Sequence, residues 1–160
     1  MGTLGFSYVG LIYLAMLFIP NGIWTRHKPE GYDALAAREP RWLKILESTG
    51  QVMVTAMSVA FADFNLRPWD GGCLWLAASF ALMVLYEICW IRYFAGPHTM
   101  AAFYGGFLGI PVPLATLPVG AFLLLGIYGR VVWMVLATAV LGVGHVGIHL
   151  RHWRQVRALK

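Results

Sequence analysis

Long apolar runs separated by short polar segments dominate this chain. A helix that crosses the hydrocarbon core of a bilayer needs about 20 apolar residues. Five runs are that long, and they cover residues 4–24, 43–64, 73–94, 103–128 and 131–150. The pattern predicts an all-α integral membrane protein, an antiparallel bundle of five transmembrane helices that forms one domain over residues 1–160. The first run lacks the basic start and small-residue cleavage site of a signal peptide, so we expect it to be retained.

Composition excludes the common soluble classes. Hydrophobic residues make up 59% of the 160 residues and charged residues 12%, and the mean hydropathy is +0.68. A soluble domain has about 45–50% apolar and about 25% charged residues. An ordinary soluble enzyme and a disordered chain are therefore excluded.

The basic residues predict an orientation. Five spans place the 25–42 loop, the segment around residues 93–102 and the tail at 151–160 on one side. Ten of the twelve lysines and arginines then lie at that side, and only Arg67 and Arg130 lie at the other. Because basic loops favour the cytoplasm, we expect an outside N-terminus and a cytoplasmic C-terminus. The compact size favours a bacterial inner membrane.

The same distribution explains the net charge of +5 without a nucleic-acid partner. The tail from Arg151 to Lys160 is basic and directly follows an apolar run. Such a segment is typical of an anchor that contacts anionic lipids. We therefore expect the lipid bilayer, rather than DNA or RNA, as the partner of these charges.

Polar residues inside the predicted spans are candidates for a site. In the second span Glu47, Gln51, Thr55 and Ser58 are spaced four, four and three residues apart, which places them on one helix face. Such a face must contact other helices or water, because lipid leaves its polar groups without partners.

The third and fifth spans carry further polar and aromatic candidates. Their ionisable members face the bundle interior in a membrane protein and usually have partners. A rise of 1.5 Å per residue brings Gln51, Glu87 and His145 to about one depth, in the cytoplasmic half. This depth predicts a polar pocket open to the cytoplasm, in which Glu87 would hold a cation or a proton. If the cluster is purely structural, we expect Glu87 to pair with His145 or with Arg92. The expected ligand-binding residues are Glu47, Gln51, Tyr86, Glu87, Trp90, Arg92, Gly109, Pro111, His145 and His149.

The fourth run is rich in glycine and proline. Pro111, Pro113 and Pro118 predict a kinked or broken helix, because proline removes a backbone donor and clashes with the preceding turn. Carbonyls freed near Gly109 and Pro111 must be buried or line a cavity. A G-x-x-x-G pair earlier in this run is typical of helix packing and is compatible with a homodimer.

Three functions fit this pocket. The first is binding or transport of a small molecule or ion, with proton coupling through His145 as an option. The second is a membrane enzyme for a lipid or apolar substrate, with Glu87 and His145 as acid and base. The third is a purely structural cluster in an interaction subunit.

A metal variant of the first two functions would use Glu87, His145 and His149, since two histidines and a carboxylate suit zinc or iron. The sequence indicates no particular cofactor or substrate. The 25–42 segment is compatible with a lid over the pocket and with a plain connector, and we expect a short helix near residues 33–38.

Overall fold

The computed structural model describes residues 2–158, and within that range it is all-helical, with no strands. Five helices are long: α1 (Tyr8–Trp24), α3 (Arg41–Ala60), α4 (Cys73–Phe94), α6 (Pro113–Tyr128) and α7 (Val132–Ala158). Two are short: α2 (Tyr32–Ala36) and α5 (Met100–Phe103). A single 3₁₀ turn, Ala62–Phe64, follows α3. The predicted all-α class is confirmed.

The five long helices form a ring in which neighbours run antiparallel, except that α1 and α4 run parallel. Helix α3 packs on α7, α7 on α6, α6 on α4, α4 on α1, and α1 on α3. The short helices α2 and α5 lie at one end of this ring, which we call the α2 end. The other end, where α1 and α4 begin and α3 ends, we call the opposite end.

Glycines let α3 and α7 approach each other closely. A Cβ atom added at Gly50 would lie 2.5 Å from the Leu141 Cα atom, and one at Gly144 would lie 2.3 Å from the Glu47 backbone nitrogen. Real Cβ atoms do not come so near to backbone. The absence of side chains at these two positions therefore sets the helix separation, and it brings Glu47 beside the residue that follows Gly144, which is His145.

Hydrogen bonds close the opposite end. The Asn65 side chain accepts from the Tyr8 amide at 2.9 Å and donates to the Phe6 carbonyl at 2.9 Å. The Asn65 carbonyl accepts from the Tyr128 hydroxyl at 2.9 Å. This one residue thus ties the start of α1 and the end of α6 to the chain after α3.

Within residues 2–158, two helices are long and apolar enough to cross a membrane by length and composition. They are Cys73–Phe94 and Val132–Ala158, and only 28% and 39% of their apolar windows are buried in the protein. Two shorter helices, Tyr8–Trp24 and Pro113–Tyr128, are also apolar. Membrane association thus has support from composition, while the count of five spans stays a prediction.

The fourth apolar run is divided. Helix α5 ends at Phe103, residues 104–112 are not helical, and α6 begins at Pro113. Leu108, Gly109 and Val112 have positive φ angles in this connection. The predicted span at 103–128 is therefore helical only from Pro113 onward. The pair Gly105 and Gly109 does not lie on a helix, so it gives no support to a homodimer formed by helix packing.

Candidate functional site

A cavity of about 710 Å³ lies inside the helix ring. All five long helices contribute to its wall, together with Tyr32 of α2 and Phe103 of α5. Cavities that bind small molecules measure roughly 300–1,000 Å³. The cavity is therefore large enough for a ligand of metabolite or drug size.

The cavity opens between α1 and α3. The exposed residues of its lining are Phe18 on α1 and Gln51, Val52 and Ala56 on α3. Phe18 is 52% exposed and Val52 is 70% exposed. On the far wall Tyr86, Phe122 and Leu114 are buried. The opening is thus lateral, in the side of the bundle.

Aromatic side chains cover the cavity at the α2 end. The Tyr32 ring packs edge-on against Trp24, with 4.7 Å between ring centroids, and Trp24 stacks on Phe103 at 5.3 Å. Burial, with smaller contributions from the carboxylates of Glu39 and Glu47, raises the pKa of Tyr32 above its ordinary range. Its hydroxyl group therefore stays a neutral donor. Of the 25–42 segment, Tyr32 lines the cavity, and the short helix α2 agrees with the helix expected near residues 33–38.

Glu47 and His145 form the closest polar contact of the cavity wall. The Glu47 Oε1 atom lies 2.6 Å from the His145 Nδ1 atom. Both side chains are about four-fifths buried, with 21% and 22% exposure. The partner of His145 is thus a residue of α3, whereas the sequence had suggested Glu87 of α4.

His149 lies one helical turn beyond His145 and faces the same cavity. Its ring centroid is 4.5 Å from that of His145, and the residue is only 8% exposed. Among residues 2–158 the structure shows no hydrogen bond to either ring nitrogen of His149. One potential ligand atom from each of Glu47, His145 and His149 falls within 4.8 Å of the others.

A second polar group completes the α2-end wall. The Asn21 side-chain amide donates to the Leu17 carbonyl and to the Tyr86 hydroxyl, both at 2.7 Å. Tyr86 in turn packs edge-on against Trp90 at 6.1 Å. These hydrogen bonds hold the Tyr86 and Asn21 side chains at the cavity wall.

The structure brings together six of the ten residues expected at the site. Glu47, Gln51, Tyr86, Trp90, His145 and His149 all line the cavity. Glu87, Arg92, Gly109 and Pro111 do not.

Glu87 and Arg92 make no contact with the site. One Glu87 carboxylate oxygen, Oε1, is buried without a hydrogen-bond partner in the described chain. The Arg92 guanidinium instead donates to the carbonyls of Gly105 and Gly106, at 3.2 and 3.3 Å, and lies over the Phe107 ring. It therefore binds carbonyls of the broken fourth run.

Gly109 and Pro111 line a separate cavity of about 550 Å³, with Trp153 and Arg157. It lies between the non-helical connection and the end of α7. The carbonyls that the broken helix was expected to add to the pocket are thus elsewhere.

Tyr32 and Phe103 belong to the cavity and were absent from the expected site. Tyr32 lies in a polar loop, where no helical pattern marks a buried position. The sequence does contain a pattern that indicates the pairing of Glu47 with His145. Gly50 lies one turn from Glu47 and Gly144 directly precedes His145, and small residues on two helices indicate a close crossing.

Comparison of the chain with protein-family models, with curated proteins and with solved structures finds no match.

Proposed function

We propose that this protein is an integral membrane protein whose cavity binds a small, largely apolar molecule with one polar end. The five long helices cross the bilayer, and the α2 end faces the cytoplasm. The ligand enters from the lipid through the opening between α1 and α3. The observation that carries this proposal is the cavity itself, with a lateral opening and its ionisable groups on α3 and α7.

Exposed apolar side chains support the membrane setting. Ile19 on α1, Ile45 on α3, Ile91 on α4 and Leu136 on α7 are 50–66% exposed. A soluble monomer rarely exposes apolar residues on so many neighbouring helices, since a large apolar patch promotes association. Lipid would cover these faces.

Charge supports the orientation. The α2 end carries the basic residues of the 25–42 segment, Lys44 near the start of α3, Arg92 in the last turn of α4 and the arginines at the end of α7. Arg67 and Arg130 lie at the opposite end. Basic residues at membrane boundaries favour the cytoplasmic side.

The lining indicates the ligand class. Leu17, Leu114, Pro118, Phe122 and Leu141 offer an apolar wall. Glu47, His145, His149 and Asn21 offer hydrogen-bonding groups. An apolar pocket with a few placed polar groups is typical of sites that orient a ligand by one end.

Native mass spectrometry tests this proposal. Protein extracted gently from its membrane should carry a small-molecule adduct at a fixed stoichiometry. Ala56→Trp, at the mouth of the cavity, should remove the adduct. Ala15→Trp is the matched control, because Ala15 is exposed on α1 and does not line the cavity. If both variants retained the adduct, or the wild type carried none, the proposal would be wrong.

A membrane-embedded enzyme is the second candidate function. The contact between Glu47 and His145 favours it, because a carboxylate beside an imidazole at a cavity wall can act as an acid–base pair. Turnover of the retained molecule in detergent solution, without sealed vesicles, would select this candidate over transport.

A further inference from the structure

We propose that Glu47, His145 and His149 form a binding site for a divalent transition metal ion of the zinc class. The site lies in the wall of the cavity, and its remaining coordination position faces the cavity interior. The metal site depends on the proposed function in one respect: its open coordination position would face the small molecule bound in the cavity.

Helix geometry aligns the two histidines. Residues four apart on an α-helix lie on the same face, one turn apart. His145 and His149 have this spacing on α7, and their rings are 4.5 Å apart. Paired histidines at this spacing are a recurrent arrangement for zinc.

The third ligand comes from the neighbouring helix. The close crossing of α3 and α7 at Gly144 places the Glu47 carboxylate at 2.6 Å from His145. Potential ligand atoms of all three residues lie within 4.8 Å of one another. Ligand atoms around tetrahedral zinc are about 3.4 Å apart at bond lengths near 2.1 Å. The observed separations, from 2.6 Å up to 4.8 Å, lie on both sides of that value, so metal binding would require side-chain rotations.

His149 gives an independent reason to expect an ion. His149 is only 8% exposed, and its imidazole makes no hydrogen bond in the described residues. Neither ring nitrogen of His149 is among the fully enclosed unpartnered atoms of the described chain, so these nitrogens stay accessible from the cavity that the residue lines. A metal ion at this position would bind one ring nitrogen of His149.

The donor set and setting fit an open metal site. Two imidazoles and one carboxylate leave a fourth position for water or substrate, as in catalytic zinc sites. The same set suits non-haem iron(II). Two other carboxylates, Asp33 and Glu39, lie in the 25–42 segment and do not line this cavity. The candidate ligands are therefore Glu47, His145 and His149.

Cobalt(II) titration of chelator-treated, tag-free protein in detergent tests this proposal. Tetrahedral Co²⁺ absorbs visible light, so one equivalent should produce a band that zinc abolishes by competition. Glu47→Gln preserves the shape of the side chain and should weaken binding at least about 100-fold, as should His149→Ala, since even changes to groups around a metal site cost 10–100-fold.

The matched control is His98→Ala. His98 and His27 form a second pair of neighbouring rings, 5.3 Å apart, near the start of α5. Binding that survives His98→Ala and is lost with His149→Ala supports the site. A wild type without the band, or binding lost only with His98→Ala, overturns it.

The two proposals can fail separately. Should Glu47→Gln fail to fold, His149→Ala gives the same reading. Metal binding without a small-molecule adduct keeps the metal site and rejects the proposed ligand. A small-molecule adduct on chelator-treated protein that binds no Co²⁺ keeps the proposed ligand and rejects the metal site.

Discussion

The two ends of the helix ring use polar side chains in different ways. At the opposite end Asn65 is half-buried, and its side chain and backbone bond to three residues, Phe6, Tyr8 and Tyr128. At the α2 end His149 is more deeply buried and bonds to nothing in the described chain. A polar group that is bonded inside the protein holds the fold together. A polar group that lines a cavity without a protein partner is free to bind a ligand. The contrast between Asn65 and His149 is the one expected if His149 contributes to the proposed site and Asn65 to the fold.

Packing at the start of α1 should produce the largest effect. A Cβ at Gly10 would lie 1.7 Å from the Ser58 carbonyl oxygen. Gly10→Ala should therefore separate α1 from α3 and cost about 3 kcal/mol or more of unfolding free energy. Unfolding in detergent measures this loss. Gly22→Ala is the control on the same helix, because nothing lies within 4 Å of its Cβ position, and it should be stabilising by up to about 1 kcal/mol. Equal effects of the two variants would contradict the close crossing.

Asn65→Ala should cost less, about 2 kcal/mol. It removes the bonds to Tyr8 and Phe6, and each hydrogen bond contributes about 1 kcal/mol net. Asn65→Asp keeps an acceptor for Tyr8 and loses the donor to Phe6, so its loss of stability should lie between wild type and Asn65→Ala. A neutral Asn65→Ala would remove the structural role given to the opposite end.

Tyr13→Phe should cost about 1 kcal/mol. The Tyr13 hydroxyl donates to Ser79 at 3.1 Å inside the core, and Ser79 still donates to the Ala121 carbonyl when that hydroxyl is gone. The phenyl ring fills the same space, so only one hydrogen bond is lost. Thermal unfolding of the purified variant measures the change, and a loss above about 3 kcal/mol would contradict this simple partition.

The smallest effect is expected at the cavity wall. In chelator-treated protein His149→Leu should change the unfolding free energy by less than about 1 kcal/mol, because no hydrogen bond is lost and the volumes are similar. The same unfolding measurement in the presence of zinc distinguishes the wild type from His149→Leu. At 100 times its dissociation constant zinc should stabilise the wild type by about 2.7 kcal/mol and leave His149→Leu unchanged. A large loss for His149→Leu without zinc would make His149 a structural residue and end the contrast between the two ends.

Sequence patterns predicted the helices well where apolar runs were uninterrupted. Residues 73–94 were expected as one helix, and α4 covers that same range. The sequence patterns were less accurate at residues 104–112. The prolines predicted a break in the helix there, but the length of the non-helical segment could not be predicted. Helix α7 extends beyond residue 150 because its polar end, Arg151 to Ala158, contains no helix-breaking residue.

The candidate site shows that depth along a helix does not determine which side chains meet. Helix spacing grouped Glu47 with Gln51 on one helix and His145 with His149 on another, because it fixes which residues share a face. The two pairs were brought together by their depth along the helices. Glu87 matches His145 in depth, but depth carries no information on the direction around α4 in which a side chain points. That direction follows from tertiary packing, here from the glycines that place α3 against α7.

A density map of the protein purified in its native lipids tests the central claim most directly. The account predicts ordered non-protein density in the cavity between α1 and α3, with its polar end against Glu47, His145 and His149. A cavity closed by movement of α1 onto α3, with His149 hydrogen-bonded to protein, would contradict it.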